Sequence, residues 1–485
     1  MRKVMEMQLK IGQVDISKIE IDLQSRDEIP ELLLGLKFIY QNRDIHSAVF
    51  EILKEIVPKE VDPKNGRPGM DLWKIFVLGT LRLICNWDYD KVHDSANNHK
   101  IIREFLGHSI FEFHQRYSLQ AIKDNVCLMT PELLDRINQV VIRAGYKFLR
   151  KTDQDGISGR CDSFVVETDV HFPTDINLLL DAMRKVITLT AGEFEILGLT
   201  EWRQSQHHLE KIKKHFNYVQ RLKRISSKDE EKKAQQGRLI VGAYVAYMEL
   251  CEGYLQRVRQ SIGIINDMGI GNVVNIMLIE RFMGHAERQI DQIRRRIVAG
   301  EKIPHDEKVF SIFEEHTEWI SKGKAGVPQE LGLRVCVIED QHGFILHHRV
   351  MEKETDDKIA VEIIREVKRR FPQFSGCSFD KGFHSPKNQE ELIKLLDHVV
   401  LPRKGRLSEK AKEIEQSEEF VRARHKHAAV ESAINALENH GLDRCLDHGI
   451  FGFKRYVALA VLARNIQILG KMIQEKELKR LKKAA

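Results

Sequence analysis

The sequence predicts an α/β protein: a mixed sheet with flanking helices, a large helical insertion, and a separate all-helical N-terminal domain. Three observations predict it. Short β-branched and apolar runs begin only near residue 160 and resume after Gly326. Residues 30–150 and about 181–300 carry apolar residues at helical spacing instead. The stretch Ser378-Phe379-Asp380-Lys381-Gly382-Phe383-His384-Ser385-Pro386 has the form of a strand ending in a carboxylate, a glycine turn, and a helix capped by Ser385 with Pro386 at its first position. Open α/β sheets place their ligands at such strand ends.

Composition bounds the rest. The chain has 485 residues, 42% hydrophobic and 31% charged, which suits a globular protein of roughly two to four domains. No apolar run is expected to reach the length of a membrane span, and Met1–Glu6 lacks the apolar core of a signal peptide. A cytoplasmic location without a membrane partner is expected. The seven cysteines are scattered and form no CxxC pair, against both a zinc ribbon and a disulfide framework. A net charge of +6 is compatible with nucleic-acid binding without requiring it.

Residues 1–28 form a polar N-terminal segment. Residues 29–150 read as a helical, DNA-binding domain. Leu33, Leu36, Ile39, Ala48, Ile52 and Ile56 return at helical spacing, and Asp71–Cys85 is apolar enough for a buried helix. Lys64, Arg67, Arg82, Lys91, Lys100 and Arg103 are candidates to lie along phosphates, or a solvated helical surface. Residues 151–470 form the sheet domain. Its first strand runs through Arg160–Val170, and a helix follows with Ile176, Leu179, Leu180 and Met183 on one stripe. The insertion at about 181–300 reads as a helical hairpin broken at Gly237 and Gly269–Gly271. Its basic clusters, Arg221–Arg224 and Arg294–Arg296, are more readily solvated faces than DNA contacts. Leu331–Glu339 and Gly343–Met351 form a hairpin; then come a helix with Ile359, Ile363, Ile364 and Val367, the Asp380 strand, a helix, a short strand and further helices. Residues 471–485 form a charged tail that frays. Without the insertion, this is the element order of an RNase H-like domain.

In that order the first and fourth strands are adjacent and a late helix crosses them. Asp162, Asp380 and Glu431 then converge. Three carboxylates without a cysteine or histidine set make a hard oxygen site suited to Mg²⁺ or Mn²⁺, and two such ions support in-line phosphoryl transfer. Each position has rivals. Asp169 points to the opposite face of the first strand from Asp162, Asp175 and Asp181 belong to the next helix, and Glu438 shares a helix face with Glu431. His425 and His427 fit a surface or DNA-facing role better than a metal site. His207-His208 and His347-His348 read as structural.

With these residues in hand the chain resembles the DDE transposases of bacterial insertion sequences. The resemblance rests on five segments in order: Gly66-Arg67-Pro68-Gly69 followed by Trp87-Asp88-Tyr89; Asp162–Glu167 with His171–Asp175; Gly323–Gly326 through Glu330-Leu331-Gly332; Phe379-Asp380-Lys381-Gly382-Phe383; and His427-Ala428-Ala429-Val430-Glu431. It implies a metal-binding triad of Asp162, Asp380 and Glu431, with two Mg²⁺ or Mn²⁺ ions. It implies cleavage at terminal inverted repeats, strand transfer into target DNA, and a homo-oligomeric synaptic complex on the nucleoid. A hydrolytic nuclease of the same fold and an inert DNA-binding derivative are the alternatives. One subgroup carries Tyr-x2-Arg-x3-Glu-x6-Lys around its glutamate. Here those positions are Arg424, His427, Glu431 and Glu438, so hairpin-type excision is not implied.

Overall fold

The computed structural model describes residues 3–5, 9–57, 69–151, 155–224, 229–268, 272–321, 329–405 and 408–484. Lys64, Arg67, most of Gly66–Gly69, and the Gly269–Gly271 and Gly323–Gly326 segments lie outside them. The chain forms two compact units, Met1–Asp169 with Glu318–Ala485, and Val170–Thr317.

The first unit is built on a seven-stranded sheet: β1 (Ile157–Thr168), β2 (Glu318–Ser321), β3 (Gln329–Asp340), β4 (Ile345–Met351), β5 (Phe374–Phe379), β6 (His398–Val400) and β7 (Arg444–Cys445). The order across it is β4-β3-β1-β5-β6. β2 pairs with the half of β3 that β4 leaves uncovered, and β7 pairs with the end of β1. β1 runs antiparallel to β3 and parallel to β5, and β5 runs parallel to β6. This is a mixed, RNase H-like sheet. β1 is central, and Cys161, Phe164, Val165 and Val166 on it are buried. The helix Asp356–Arg370 lays Ile359, Ala360, Ile363, Ile364 and Val367 on the core, the stripe expected of a one-sided helix.

The N-terminal helices were expected as a separate domain, but they share one core with the sheet. The helix Leu72–Ile84 buries every side chain but Lys74, so it needs cover on all sides. The helix Gly449–Ala484 supplies part of it. A buried polar knot crosses the expected boundary near residue 150. Asn465 Nδ2 donates to Asn138 Oδ1 at 2.7 Å and to the Ile345 carbonyl at 2.9 Å, and the Ile345 N–H donates to Asn465 Oδ1 at 2.9 Å. Tyr146 donates to Asp340 Oδ2 at 2.7 Å. The single stripe expected over residues 30–57 is two helices, Glu28–Gln41 and Arg43–Lys54, because Asn42 closes the first and caps the second.

Two expectations about the C-terminus change. The helix Gly449–Ala484 does not fray after residue 470; Gln474 donates to the Leu23 carbonyl at 2.8 Å. By length and composition its apolar stretch is long enough to cross a membrane, yet 78% of that stretch is buried inside the protein. It crosses the helix Glu28–Gln41 at backbone contact. A Cβ at Gly470 would fall 1.7 Å from the Glu31 carbonyl oxygen, and one at Gly35 2.2 Å from that of Ile466, so only glycine fits at either position.

The second unit is a bundle of four helices rather than a hairpin: Asp175–Ile196, Ser205–Arg224, Glu230–Met268 and Val273–Ile297. It has its own core, including Leu179, Met183, Trp202, Tyr247 and Ile290. Gly237 does not break it, since Glu230–Met268 is continuous. One exposed helical glycine costs only about 1 kcal/mol.

Arg82, a candidate for phosphate contact, is 2% exposed and bonds Asp447 at 2.7 Å; Arg455 bonds the same carboxylate at 2.7 Å from the other side. The Arg82 guanidinium stacks 3.8 Å over the Tyr89 ring. The pair ties the N-terminal helices to the C-terminal one. Asp447→Ala strands two buried guanidinium groups, and denaturant unfolding is expected to show a loss of about 3–5 kcal/mol.

Candidate functional site

The register of β1 against β5 sets the site. Cys161 lies opposite Phe379 in the parallel pair, so Asp162 and Asp380 follow side by side, one on the strand and one just past its partner's end. Asp162 is half-buried, and its Oδ1 accepts from the Ser163 N–H at 2.7 Å. Asp380 is exposed, and its Oδ2 caps the turn Lys381–Phe383 through the Gly382 N–H at 3.2 Å. Lys404 Nζ donates to the Gly382 carbonyl at 2.6 Å and pins that turn. Asp380 thus caps its turn with one oxygen and leaves the other for the site. Glu431 is exposed in the first turn of the helix Ala429–Leu437, close enough for its charge to act on Asp162.

Two further groups stand here that sequence reasoning did not assign. Asp356 opens the helix Asp356–Arg370; its charge too acts on Asp162, and its Oδ1 is buried without a hydrogen-bond partner among the described residues. In the sequence it is an ordinary first-turn acid, indistinguishable from Asp357. His427, expected at the surface or facing DNA, is half-buried. Its Nδ1 lies 3.0 Å from Ser378 Oγ, and its Nε2 is buried without a partner among the described residues. Burial holds its pKa below the ordinary value, against the pull of Asp380 and Glu431.

The rivals fall elsewhere. Asp169 lies past the end of β1, exposed and 3.6 Å from Arg444. Asp175 pairs with Arg296 at 2.7 Å, and Asp181 with His171 at 2.5 Å, both within the helical bundle. Glu438 opens the irregular turn Glu438–Leu442. On the face shared by Arg160 and Asp162, a cleft of about 1100 Å³ runs over β1, β5 and β6, lined by Arg160, Ser378, Arg422 and Lys426 among others.

The donor set suits a hard divalent cation in kind: carboxylate oxygens only. It suits one in charge, because burial first and then the charges of Asp380, Asp356 and Glu431 push the Asp162 pKa up to about 7. Gly382 leaves room between two of the acids, since a Cβ there would lie 2.9 Å from Asp356 Oδ2 and 3.5 Å from Asp380 Oδ2. As the side chains stand, no three metal-ligating groups among the described residues close on one point.

Residues 299–466 match the family model of the transposase DDE domain. The chain therefore carries a DDE transposase domain, a module of nucleic-acid-acting enzymes. The match takes in Asp356, Asp380 and Glu431 and begins after β1 and Asp162. No curated protein and no solved structure matches the chain.

A raised carboxyl pKa means that the folded protein binds the Asp162 proton more tightly than the unfolded chain does. The resulting stability is complete below about pH 4 and is lost as pH rises through about 7. Metal-free protein is therefore expected to lose stability between pH 4 and 7. In Asp162→Asn, urea unfolding should show this component of the slope removed and a stability at pH 8 higher by about 1–4 kcal/mol.

Proposed function

We propose that this protein is a DNA transposase that cleaves at the ends of a mobile element and joins the freed 3′-hydroxyl to target DNA. The observation that carries the reading is the side-by-side placement of Asp162 and Asp380 at the end of a parallel strand pair, within reach of Glu431 and in a chain with a DDE transposase domain. DDE transposases generally use divalent metals. Asp162, Asp380 and Glu431 would hold Mg²⁺ or Mn²⁺, two ions in all. When bound, such ions activate an attacking oxygen and stabilise the leaving one.

The chain's own groups do the positioning. The turn pinned by Lys404 and Gly382 holds Asp380 at the strand end, and the hydrogen bond between Ser378 and His427 fixes the start of the Glu431 helix against β5. In joining, the 3′-hydroxyl oxygen gives up its proton to water and bonds to a target phosphorus, while the bond from that phosphorus to its own 3′-oxygen breaks and that oxygen takes up a proton from water to leave as a hydroxyl. Arg160, Arg422 and Lys426 in the neighbouring cleft suit a phosphate backbone. The N-terminal helices are proposed to bind the element ends, although Arg82 is buried against Asp447 and Arg103 is engaged by backbone carbonyls. Arg103 donates to the carbonyls of Asn97, Gln115 and Glu112. A homo-oligomer would pair the two ends, working in the cytoplasm on nucleoid DNA.

The test is a cleavage and joining assay on DNA that flanks the gene, with Mg²⁺ or EDTA. Joining is expected to fall at least 100-fold in Asp162→Asn, Asp380→Asn and Glu431→Gln, and to survive in Asp169→Asn. Metal-dependent cutting without joining would point to a hydrolytic nuclease. End binding without any cutting would point to an inert DNA-binding derivative.

A further inference from the structure

We propose that Ile110, Phe111 and Phe113 form a wedge that enters the DNA duplex at the element ends and unstacks a base step. The inference rests on the DNA-transposase reading above and names the surface by which the N-terminal part of the chain grips those ends.

Three observations carry it. First, apolar surface is concentrated here. Ile110, Phe111 and Phe113 are 61%, 63% and 61% exposed, and Leu9 and Ile11 on the adjoining segment are exposed as well. Single exposed apolar residues are ordinary, but five on two paired segments mark an interaction site. Second, the tip is braced. Ser109 Oγ donates to the Ile11 carbonyl at 2.7 Å and accepts from the Phe111 N–H at 3.1 Å, and the Ile110 N–H donates to the Gly12 carbonyl at 3.2 Å. Gly12 has a φ of +76°, and a Cβ on it would fall 2.8 Å from Phe111 Cε2 and 2.9 Å from Ile110 Cγ1. Both side chains therefore rest on bare backbone and turn their remaining surface to solvent. Arg103 holds the segment from within, donating to the Glu112 carbonyl at 2.7 Å and the Gln115 carbonyl at 3.2 Å. A braced tip binds without the cost of ordering a loose loop.

Third, the rim of the tip is positive. Glu112, the only acid in residues 107–118, pairs with Lys10 at 2.8 Å. Arg116 is exposed and enters no ion pair among the described residues. Lys10, Arg103 and Arg116 thus set three positive charges against that of Glu112. Burial, then the charges of Arg103 and Lys74, push the pKa of the neighbouring His108 down to about 4, against the pull of Glu112. An apolar tip rimmed by cations complements a duplex, in which apolar base faces lie between rows of phosphate. Phe and Ile are among the side chains that part base steps. Two copies of this surface set face to face would instead bring like charges together. The DDE transposase domain favours DNA over an anionic lipid surface.

The test uses the full-length chain and duplexes of the DNA flanking the gene, with a fluorescent aminopurine, which brightens when unstacked, at successive positions. Wild type is expected to brighten it severalfold at one step. The double variant Phe111→Ser, Phe113→Ser should abolish the brightening and weaken binding about tenfold, while unfolding at the wild-type temperature because both side chains are exposed. Gly12→Ala, which keeps every wedge side chain but displaces Phe111, should also dim the signal. Arg116→Ala should keep the brightening and lower the salt dependence of binding by about one phosphate contact. Ile196→Ser, at an exposed apolar residue of the helical bundle, should match wild type. Binding without brightening at any position, or wild-type brightening in the double variant, overturns the wedge and leaves the transposase reading standing. A double variant that keeps DNA binding but loses self-association, or loses binding to phosphatidylglycerol vesicles, gives the tip to a second copy or to lipid and overturns the wedge likewise. Wild-type protein that neither binds nor joins the flanking DNA overturns both.

Discussion

The parallel pairing of β1 with β5 is the constraint on which the site depends. It sets two carboxylates next to each other where solvent is partly excluded, and the approach of Asp356 and Glu431 adds more charge of the same sign. Nothing in that arrangement is favourable by itself. Burial and mutual repulsion both oppose ionisation of Asp162, so the surrounding fold must hold the acids in place. It does so by making β1 the middle of the sheet, hydrogen-bonded on both sides, and by packing helices from both ends of the chain around it. The site is strained electrostatically and rigid mechanically, a combination suited to a centre completed by cations.

The strand positions of Asp162 and Asp380 were legible because an acid at the end of a β-branched run, followed by a glycine turn, has few other structural readings. Glu431 was legible only through the order of elements and the family resemblance, since nothing local separates it from Glu438. Asp356 was not legible. Thr355-Asp356-Asp357 is how many helices begin, and only the folded chain shows which of the two acids stands near enough to act on Asp162. The contact of His427 with Ser378 was hidden for a related reason: a histidine in a charged helix shows no partner until the strand carrying Ser378 is set beneath it.

The basic residues teach a similar lesson from the other side. Arg82 and Arg103 looked available for phosphates, but Arg82 is buried in an ion pair and Arg103 is spent on three backbone carbonyls. In the helical bundle, Arg294 pairs with Glu252, Arg295 with Asp291, Glu301 and Glu307, and Arg296 with Asp175. A sequence shows where positive charge is concentrated but not where its partners stand. The bundle's four-helix form was likewise hidden, because Gly237 carries the composition of a break and none of its geometry.

The glycine-to-backbone crossing of the helices Glu28–Gln41 and Gly449–Ala484 has a consequence for biosynthesis. The helix Glu28–Gln41 cannot find this packing partner until the distant helix Gly449–Ala484 has been made, which at about 5–20 residues per second leaves it waiting for tens of seconds. Over that interval the all-round apolar helix Leu72–Ile84 has no complete cover. The bundle of residues 170–317, with its own core, is free to fold earlier. Nascent chains thus expose apolar surface of one unit to chaperones and to aggregation over a long stretch of synthesis, and the carboxylate centre cannot assemble before Glu431 has been made.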